Sequence, residues 1–265
     1  MSREPREIFG PLAEEYARYR PTYPATLIDA LLTRVGPRPE PIVDLGAGAG
    51  AAVGPLLERR ARVIAVEPNR SMLAQASRRF GGREGWIGAI AAPAECLPLA
   101  PGGAACVVVA QAFHWFEPGP ALAQIAGALA PRGVLAILWN VTVPDAFTDE
   151  VRDLIAGYNP GYGRPVTSSM LATPSALVAH GAFSIEPPAE FPHARPMSED
   201  AYVGYAFSWS YCGGALRGED RDGFESRLRG AIRRHHPSGS WAEKLVAVAH
   251  FARRSGTPGQ GARDH

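Results

Sequence analysis

Asp44 ends an apolar run, Pro41-Ile42-Val43-Asp44, and is followed closely by three alternating glycines, Gly46, Gly48 and Gly50. Glu67 closes a second short apolar run, Val63-Ile64-Ala65-Val66, about twenty residues after the glycines. Glycines in such a place let the backbone turn sharply and approach a ligand with no β-carbon in the way. A carboxylate after the next strand can accept hydrogen bonds from ribose hydroxyls. The pattern is that of a nucleoside-cofactor site. Further along, Gln111-Ala112-Phe113-His114-Trp115-Phe116 follows the long apolar run Ala105 to Ala110 and sets a histidine among aromatic rings. A neutral imidazole there can take a proton near pH 7.

Charge decides which nucleoside fits. A dinucleotide brings a pyrophosphate to the first turn, and Asp44, two residues before Gly46, would repel it. The glycines also read G-x-G-x-G, whereas the dinucleotide fingerprint is G-x-G-x-x-G. S-adenosylmethionine reverses the electrostatics, because its sulfonium and its ammonium are cationic and an acid at the strand tip attracts them. S-adenosylmethionine is therefore the expected cofactor, and a nicotinamide-dependent oxidoreductase is the disfavoured rival.

The elements that must position these residues alternate between strand-like and helix-like runs from residue 41 to 140, the pattern of a parallel sheet with crossover helices. Strands are expected at Pro41–Leu45, Arg62–Val66, Trp86–Ala91, Ala105–Ala110 and Val134–Trp139. Ala105–Ala110 is continuous in apolar residues, as a strand buried on both faces should be. Helices are expected after Gly50, with Val53, Leu56 and Leu57 on one face, at Ser71–Phe80 behind the cap Asn69, and at Gly119–Leu129 before Pro131-Arg132-Gly133. Beyond Asn140 the alternation stops. Helices are expected at Asp145–Tyr158, Ser175–His180, Ser198–Tyr211 and Glu219–His235, with strands at Phe183–Phe191 and Leu245–Phe251.

Composition narrows the partners. With 46% hydrophobic residues, 20% charged residues and a net charge of +1, the chain is globular in type and has no strong field to attract nucleic acid or an anionic membrane. The apolar runs are shorter than the roughly 20 residues that span a bilayer, and Met1 to Glu7 leads into no signal-type stretch. Cys96, Cys106 and Cys212 show no C-x-x-C pairing, which fits a reducing compartment. A cytoplasmic protein with a small-molecule substrate is expected, as monomer or homodimer, with no nucleic-acid or membrane partner and no metal. Lys244 is the only lysine and follows no glycine-rich run, so neither a phosphate loop nor a lysine Schiff base is expected.

On these residues the chain resembles the class I S-adenosylmethionine-dependent methyltransferases, in particular the small-molecule branch of trans-aconitate methyltransferase-like enzymes. Phe9, Ala13, Tyr16, Tyr19-Arg20-Pro21 and Tyr23-Pro24 look like that branch's leading segment. Val43 to Gly50 and Val63 to Asn69 look like its first two motifs, Ala94-Glu95-Cys96-Leu97-Pro98 like the segment after strand three, and Gln111 to Phe116 like the signature at the tip of strand four. Gly10 and Glu117 depart from the common acids at their positions. The resemblance implies a Rossmann-like, doubly wound α/β fold with a seven-stranded, mostly parallel sheet and helical insertions forming a lid. It also implies a single domain over residues 1–255 with a leading helical segment 1–40, lid insertions 141–181 and 197–237, and a mobile tail 256–265.

The resemblance further places Tyr16 and Arg20 at the methionyl end of the cofactor, Asp44, Gly46, Ala47, Gly48, Glu67, Pro68 and Met72 along it, and Ala94, Glu95 and Gln111 at its adenine side and the strand-four tip. Trp115, Trp139, Asn140, Tyr205, Trp209 and Tyr211 are the expected substrate-binding residues and His114 the expected catalytic one. The reaction implied is in-line methyl transfer to a carboxylate or hydroxyl of a small molecule, where positioning supplies most of the help. A hydroxyl acceptor needs a base and a carboxylate needs none. A cofactor-binding enzyme with non-methylating chemistry, such as a cyclisation, and a non-catalytic cofactor-binding partner protein are the alternatives. Asn159-Pro160-Gly161-Tyr162 is read as a turn. Arg227, Arg229, Arg233, Arg234, His235 and His236 are read as a solvated helix face.

Overall fold

The computed structural model describes residues 13–160, 162, 165–209, 211–212 and 215–255. The segment 1–12, with Phe9 and Gly10, and the tail 256–265 lie outside the described residues, as does the side chain of Tyr16. The chain runs α1 (Ala13–Tyr19), α2 (Ala25–Val35), β1 (Ile42–Leu45), α3 (Val53–Glu58), β2 (Val63–Val66), α4 (Arg70–Phe80), β3 (Trp86–Ile90) and β4 (Ala104–Ala110). A short 3₁₀ turn at Phe113–Trp115 precedes α5 (Pro118–Ala128), β5 (Leu129–Thr142), α6 (Ala146–Tyr158), α7 (Pro165–His180), β6 (Phe183–Ile185), β7 (Ala189–Ser198), α8 (Glu199–Phe207), α9 (Gly218–His235) and β8 (Ser240–Arg254).

Seven strands lie across one sheet in the order β3-β2-β1-β4-β5-β8-β6, and β7 also pairs with β8. β1 to β5 pair parallel, and β8 runs antiparallel to β5. The order reverses between β1 and β4, and in such sheets the crevice at the carboxyl ends of those two strands is where ligands bind. Alternation along the central strands feeds two cores. Cys106, Val108, Val134, Ala136 and Leu138 pack with Leu27, Ile28, Leu31, Leu56 and Phe80 on one face. Val107, Val109, Leu135, Ile137 and Trp139 pack with Leu122 and Ile125 of α5 on the other. β4 is buried on both faces, as its unbroken apolar run requires.

A third apolar cluster joins the segments after β5. Phe147, Val151 and Ile155 of α6, Tyr202 and Phe207 of α8, and Phe224, Leu228 and Ile232 of α9 pack together with Trp209. α6 begins on a reciprocal Asp145/Thr148 capping box. Tyr19 of α1 packs against this cluster so closely that a β-carbon on Gly204 would lie 2.3 Å from its ring.

The boundaries depart from the sequence expectation where long-range pairing decides them. β5 starts at Leu129 rather than Val134, because Pro131-Arg132-Gly133 sits inside the strand as a register shift, with Arg132 at φ +57°. α7 starts at Pro165 rather than Ser175 and carries Pro174 within it. The strand expected at Phe183–Phe191 is two strands along the same edge of β8, their registers offset by one residue. β8 extends to Ser240, beyond the expected Leu245, because the segment before Leu245 pairs with β7 as a two-stranded ribbon and needs no continuous apolar run. α8 is shorter than expected, since Ser198 caps its start and Ser208 ends it. Cys106 and Cys212 are buried small core residues, Cys96 is exposed, and all three are free thiols.

Candidate active site

The glycine loop is pinned to the end of β2, where the N–H groups of Gly46 and Ala47 both donate to the Val66 carbonyl at 2.8 and 3.0 Å. Gly46 has φ +71°, and a β-carbon there would stand 2.5 Å from the Ala112 Cβ. Gly50 has φ +86°, and its β-carbon would meet the Phe80 ring at 2.4 Å. Both positions demand glycine through conformation and space together. Ala47 is buried in the core beneath the loop.

Asp44 is completely buried at the β1 tip, and neither carboxylate oxygen has a hydrogen-bond partner among the described residues. Burial, assisted by the nearby Glu67 charge, pushes its carboxyl up to about 7. Glu67 Oε2 accepts from the Gly48 N–H at 3.0 Å and Oε1 from the Asn69 N–H at 2.8 Å, so this acid braces the loop. Asn69, beyond the half-buried Pro68, caps α4 by accepting from the N–H groups of Ser71 and Met72. Met72 packs against Ala49 of the loop and Ala17 of α1.

At the other strand tips, Ala94 is buried and Glu95 Oε1 accepts from the Glu117 N–H at 2.9 Å. Gln111 sits at φ +56°, uncommon for a residue with a side chain, and its Nε2 donates to the Asn140 carbonyl at 3.0 Å. His114 lies in the 3₁₀ turn, its ring 4.8 Å from Trp115 and 5.7 Å from Trp139. Its Nδ1 is buried with no partner among the described residues. Burial, and then the Arg20 charge, lowers the imidazole to about 4. Trp139 is fully buried behind His114, again with an unpartnered Nε1, whereas Trp115 is 40% exposed. Asn140 Nδ2 donates to the Thr22 carbonyl at 3.2 Å, and its Oδ1 faces His193 Nε2 at 3.0 Å.

Arg20 bridges the strand tips and the helical cluster. Its Nη2 donates to the Ser208 carbonyl at 3.1 Å, and its guanidinium lies 5.9 Å from the Tyr205 ring. Tyr205 contacts Trp209 at 4.9 Å, and Trp209 contacts Tyr211 at 5.5 Å. Burial raises both tyrosine hydroxyls above their ordinary range. Of the expected acceptor aromatics, Tyr205, Trp209 and Tyr211 thus lie in or against one cluster beside Arg20, while Trp115 stands exposed beside His114 and Trp139 belongs to the sheet core below it. The residues that the sequence reading missed are His193, Arg195 and Glu243 on the β7–β8 ribbon. Their only signal is the alternation Phe191, His193, Arg195, Met197 on one strand face, obscured by Pro192 and Pro196.

In the stretch read as a turn, the Tyr162 N–H donates to the Asn159 carbonyl, while Gly161 lies outside the described residues. The basic residues of α9 are largely spent within the molecule: Arg229 pairs with Glu199, Asp200 and Glu225, Arg233 with Glu199, and Arg234 and His235 with Glu150. Among the described residues, no helix is long and apolar enough to cross a membrane, and no group of His, Cys, Asp and Glu is arranged to hold a metal ion.

A doubly wound sheet with a glycine loop and two acids at its reversal point defines a nucleoside-cofactor-binding α/β protein. Residues 43–137 match the family described as "Methyltransferase domain". An uncharacterized methyltransferase of Mycobacterium tuberculosis is 37% identical over 132 residues, 50% of this chain and 51% of that protein. A probable S-adenosylmethionine-dependent methyltransferase of Saccharomyces cerevisiae is 28% identical over 152 residues, 56% of this chain and 52% of that one. The chain spans about half the length of the curated relatives it matches. Among solved structures, a protein provisionally classed as a type II methyltransferase from Anaeromyxobacter dehalogenans is similar with a TM-score of 0.62 at 25% identity, over 89% of this chain and 97% of that one. The YcgJ protein of Bacillus subtilis shares the fold, with a TM-score of 0.52 at 17% identity over 87% and 98% of the two chains. Residues 43–137 are thus similar to a methyltransferase domain, and the relatives that match the chain are named as methyltransferases, one of them as S-adenosylmethionine-dependent. The residues present fit that cofactor: the buried carboxylate of Asp44 has no hydrogen-bond partner among the described residues and has the sign a cationic ligand needs, and the loop beside it has no room for a β-carbon at Gly46 or Gly50.

Proposed function

We propose that the chain methylates an oxygen of a small-molecule acceptor, and that this oxygen belongs to a carboxylate. S-adenosylmethionine, when bound, supplies an electrophilic methyl group on a sulfonium. Asp44 offers the negative charge that favours the cation, and the Glu67-braced loop keeps the backbone open for its approach. The observation that carries the choice of acceptor is the setting of His114, buried against Trp139 with Arg20 bearing on it. An imidazole lowered to about 4 is neutral at pH 7 but too weak a base to take a proton well from a hydroxyl. His114 is therefore read as orienting the acceptor. A carboxylate is already ionised, needs no base and is attracted by the guanidinium of Arg20.

The helical cluster with Tyr205, Trp209 and Tyr211 is read as a lid that excludes water from the acceptor and completes one domain with the sheet. The unpartnered Asp44 carboxylate also supports this cofactor over a dinucleotide, whose pyrophosphate it would repel. Formation of S-adenosylhomocysteine from labelled S-adenosylmethionine over a panel of small carboxylic acids, phenols and amines tests the reading. Turnover with carboxylic acids is expected. Turnover confined to phenols or amines would overturn the carboxylate assignment, and cofactor-dependent product without S-adenosylhomocysteine would favour the non-methylating alternative.

A further inference from the structure

Arg195 lies on β7, away from the glycine loop, and touches three other elements, two of them distant in the chain. Its Nε donates to Oε2 of Glu243 at 2.5 Å, directly across the ladder on β8. Its Nη1 donates to the carbonyl of Tyr19, the last residue of α1, at 2.6 Å. Its guanidinium carbon stands 4.2 Å from the centre of the Tyr205 ring on α8. Glu243 is almost wholly buried and Arg195 largely so. Such a pair adds little net stability over apolar side chains, because both charges must leave water, and its best-attested use is to specify a geometry.

The geometry it specifies here is the seat of α1. Ala17 of that helix packs on Ala49 and Met72 beside the glycine loop. Tyr19 packs against α8 at Gly204, and the next residue, Arg20, donates to the Ser208 carbonyl. We propose that the Arg195–Glu243 pair is a latch that holds α1 over the cofactor crevice, making Arg195 a positioning residue that sets how fast cofactor and demethylated product leave. The inference rests on the crevice being the cofactor site.

Release of S-adenosylhomocysteine from the full chain, followed by stopped-flow tryptophan fluorescence, reads the latch without any acceptor. Arg195→Met is expected to release the product about 10- to 100-fold faster, the factor set by one charge-assisted hydrogen bond. Arg195→Lys keeps a charge for Glu243, but a compact ammonium cannot also reach the Tyr19 carbonyl and lie on Tyr205. It is expected to keep the wild-type melting temperature and still release about tenfold faster, a split that a merely structural ion pair would not produce. Gly204→Ala, which drives the Tyr19 ring off α8 from the other side, is expected to speed release likewise. Hydrogen exchange over residues 13–20 rises in all three variants while that of β4 stays at the wild-type level. Wild-type release rates in both Arg195→Lys and Gly204→Ala would overturn the latch. A wild-type chain that takes up no S-adenosylhomocysteine would instead overturn the cofactor reading, and exchange over residues 13–20 would then decide alone whether Arg195 holds α1.

Discussion

Replacing Asp44 with asparagine separates what the protein loses by keeping a buried, unpartnered acid from what the ligand gains. The carboxyl ordinarily titrates at 3.8 and is pushed up to about 7 in the folded chain. Below the lower value it is protonated in both the folded and unfolded states and costs nothing. As pH rises between the two values only the unfolded chain ionises it, so stability falls, and above about 7 the full cost applies. The difference between those two values corresponds to about 4 kcal/mol. An amide at the same place escapes that cost but leaves polar atoms unpaired, at about 1–3 kcal/mol. The ligand-free Asp44→Asn chain at pH 8 is therefore expected to be more stable than wild type by about 1–3 kcal/mol, or several degrees in melting temperature.

Binding should move the opposite way. Removing one partner of a buried charge pair costs at least about 2 kcal/mol, so the dissociation constant for S-adenosylmethionine is expected to rise about 30-fold or more. In the wild type, uptake of the cation requires the ionised acid, and affinity should weaken by about tenfold per pH unit below about 7 and level off above it. In the variant that slope should vanish. Calorimetric titration between about pH 5 and 8, with scanning calorimetry of the free chains, measures all three quantities. A variant that binds the cofactor as tightly as wild type, together with a pH-independent wild-type affinity, would refute the argument that this acid is held for a cation.

Gly46→Ala is expected to reduce cofactor uptake and to destabilise the fold by more than Gly82→Ala, since both glycines have positive φ but only Gly46 has a neighbour, the Ala112 Cβ, at 2.5 Å from the added carbon. Denaturant melts compare them, with the backbone strain common to both at about 1–3 kcal/mol. Phe80→Ala should cost about 3–5 kcal/mol by opening a cavity in the core and should loosen the Gly50 turn, read as faster amide exchange at residues 46–54. With a carboxylic acid as acceptor, kcat/KM of the wild type should show no inflection from His114 near its ordinary value of 6.5, because burial and Arg20 hold it at about 4; an inflection near 6.5 that His114→Gln abolishes would restore the base role.

The half of the fold that carries the glycine turn was legible because its signals are local. The Asp44 strand, the glycine turn, the Val63–Val66 strand, Glu67 and the Asn69 cap lie within a short stretch of chain, and each follows from its own residue types. The apolar continuity of Ala105 to Ala110 likewise placed the sheet centre. The part of the β7–β8 ribbon after Phe191 and before Leu245 was not legible, because Pro192 and Pro196 argue against a strand in the sequence while edge-strand pairing tolerates them. Arg20 was expected at the methionyl end of the cofactor; the hydrogen bond it donates to a carbonyl 188 residues away is a contact no local pattern encodes.

By itself, then, the order of residue types determined that the chain builds a parallel α/β sheet and bends a glycine turn beside an acid. Only the tertiary structure decided how that acid and His114 behave. Their proton affinities depend on the solvent that remote segments exclude and, for His114, on the Arg20 charge they bring near; of these neighbours only Glu67, whose charge adds to the burial of Asp44, was already in view in the sequence. Such long-range neighbours leave no periodicity or spacing in the chain, and the same holds for the Arg195–Glu243 contact across the ribbon.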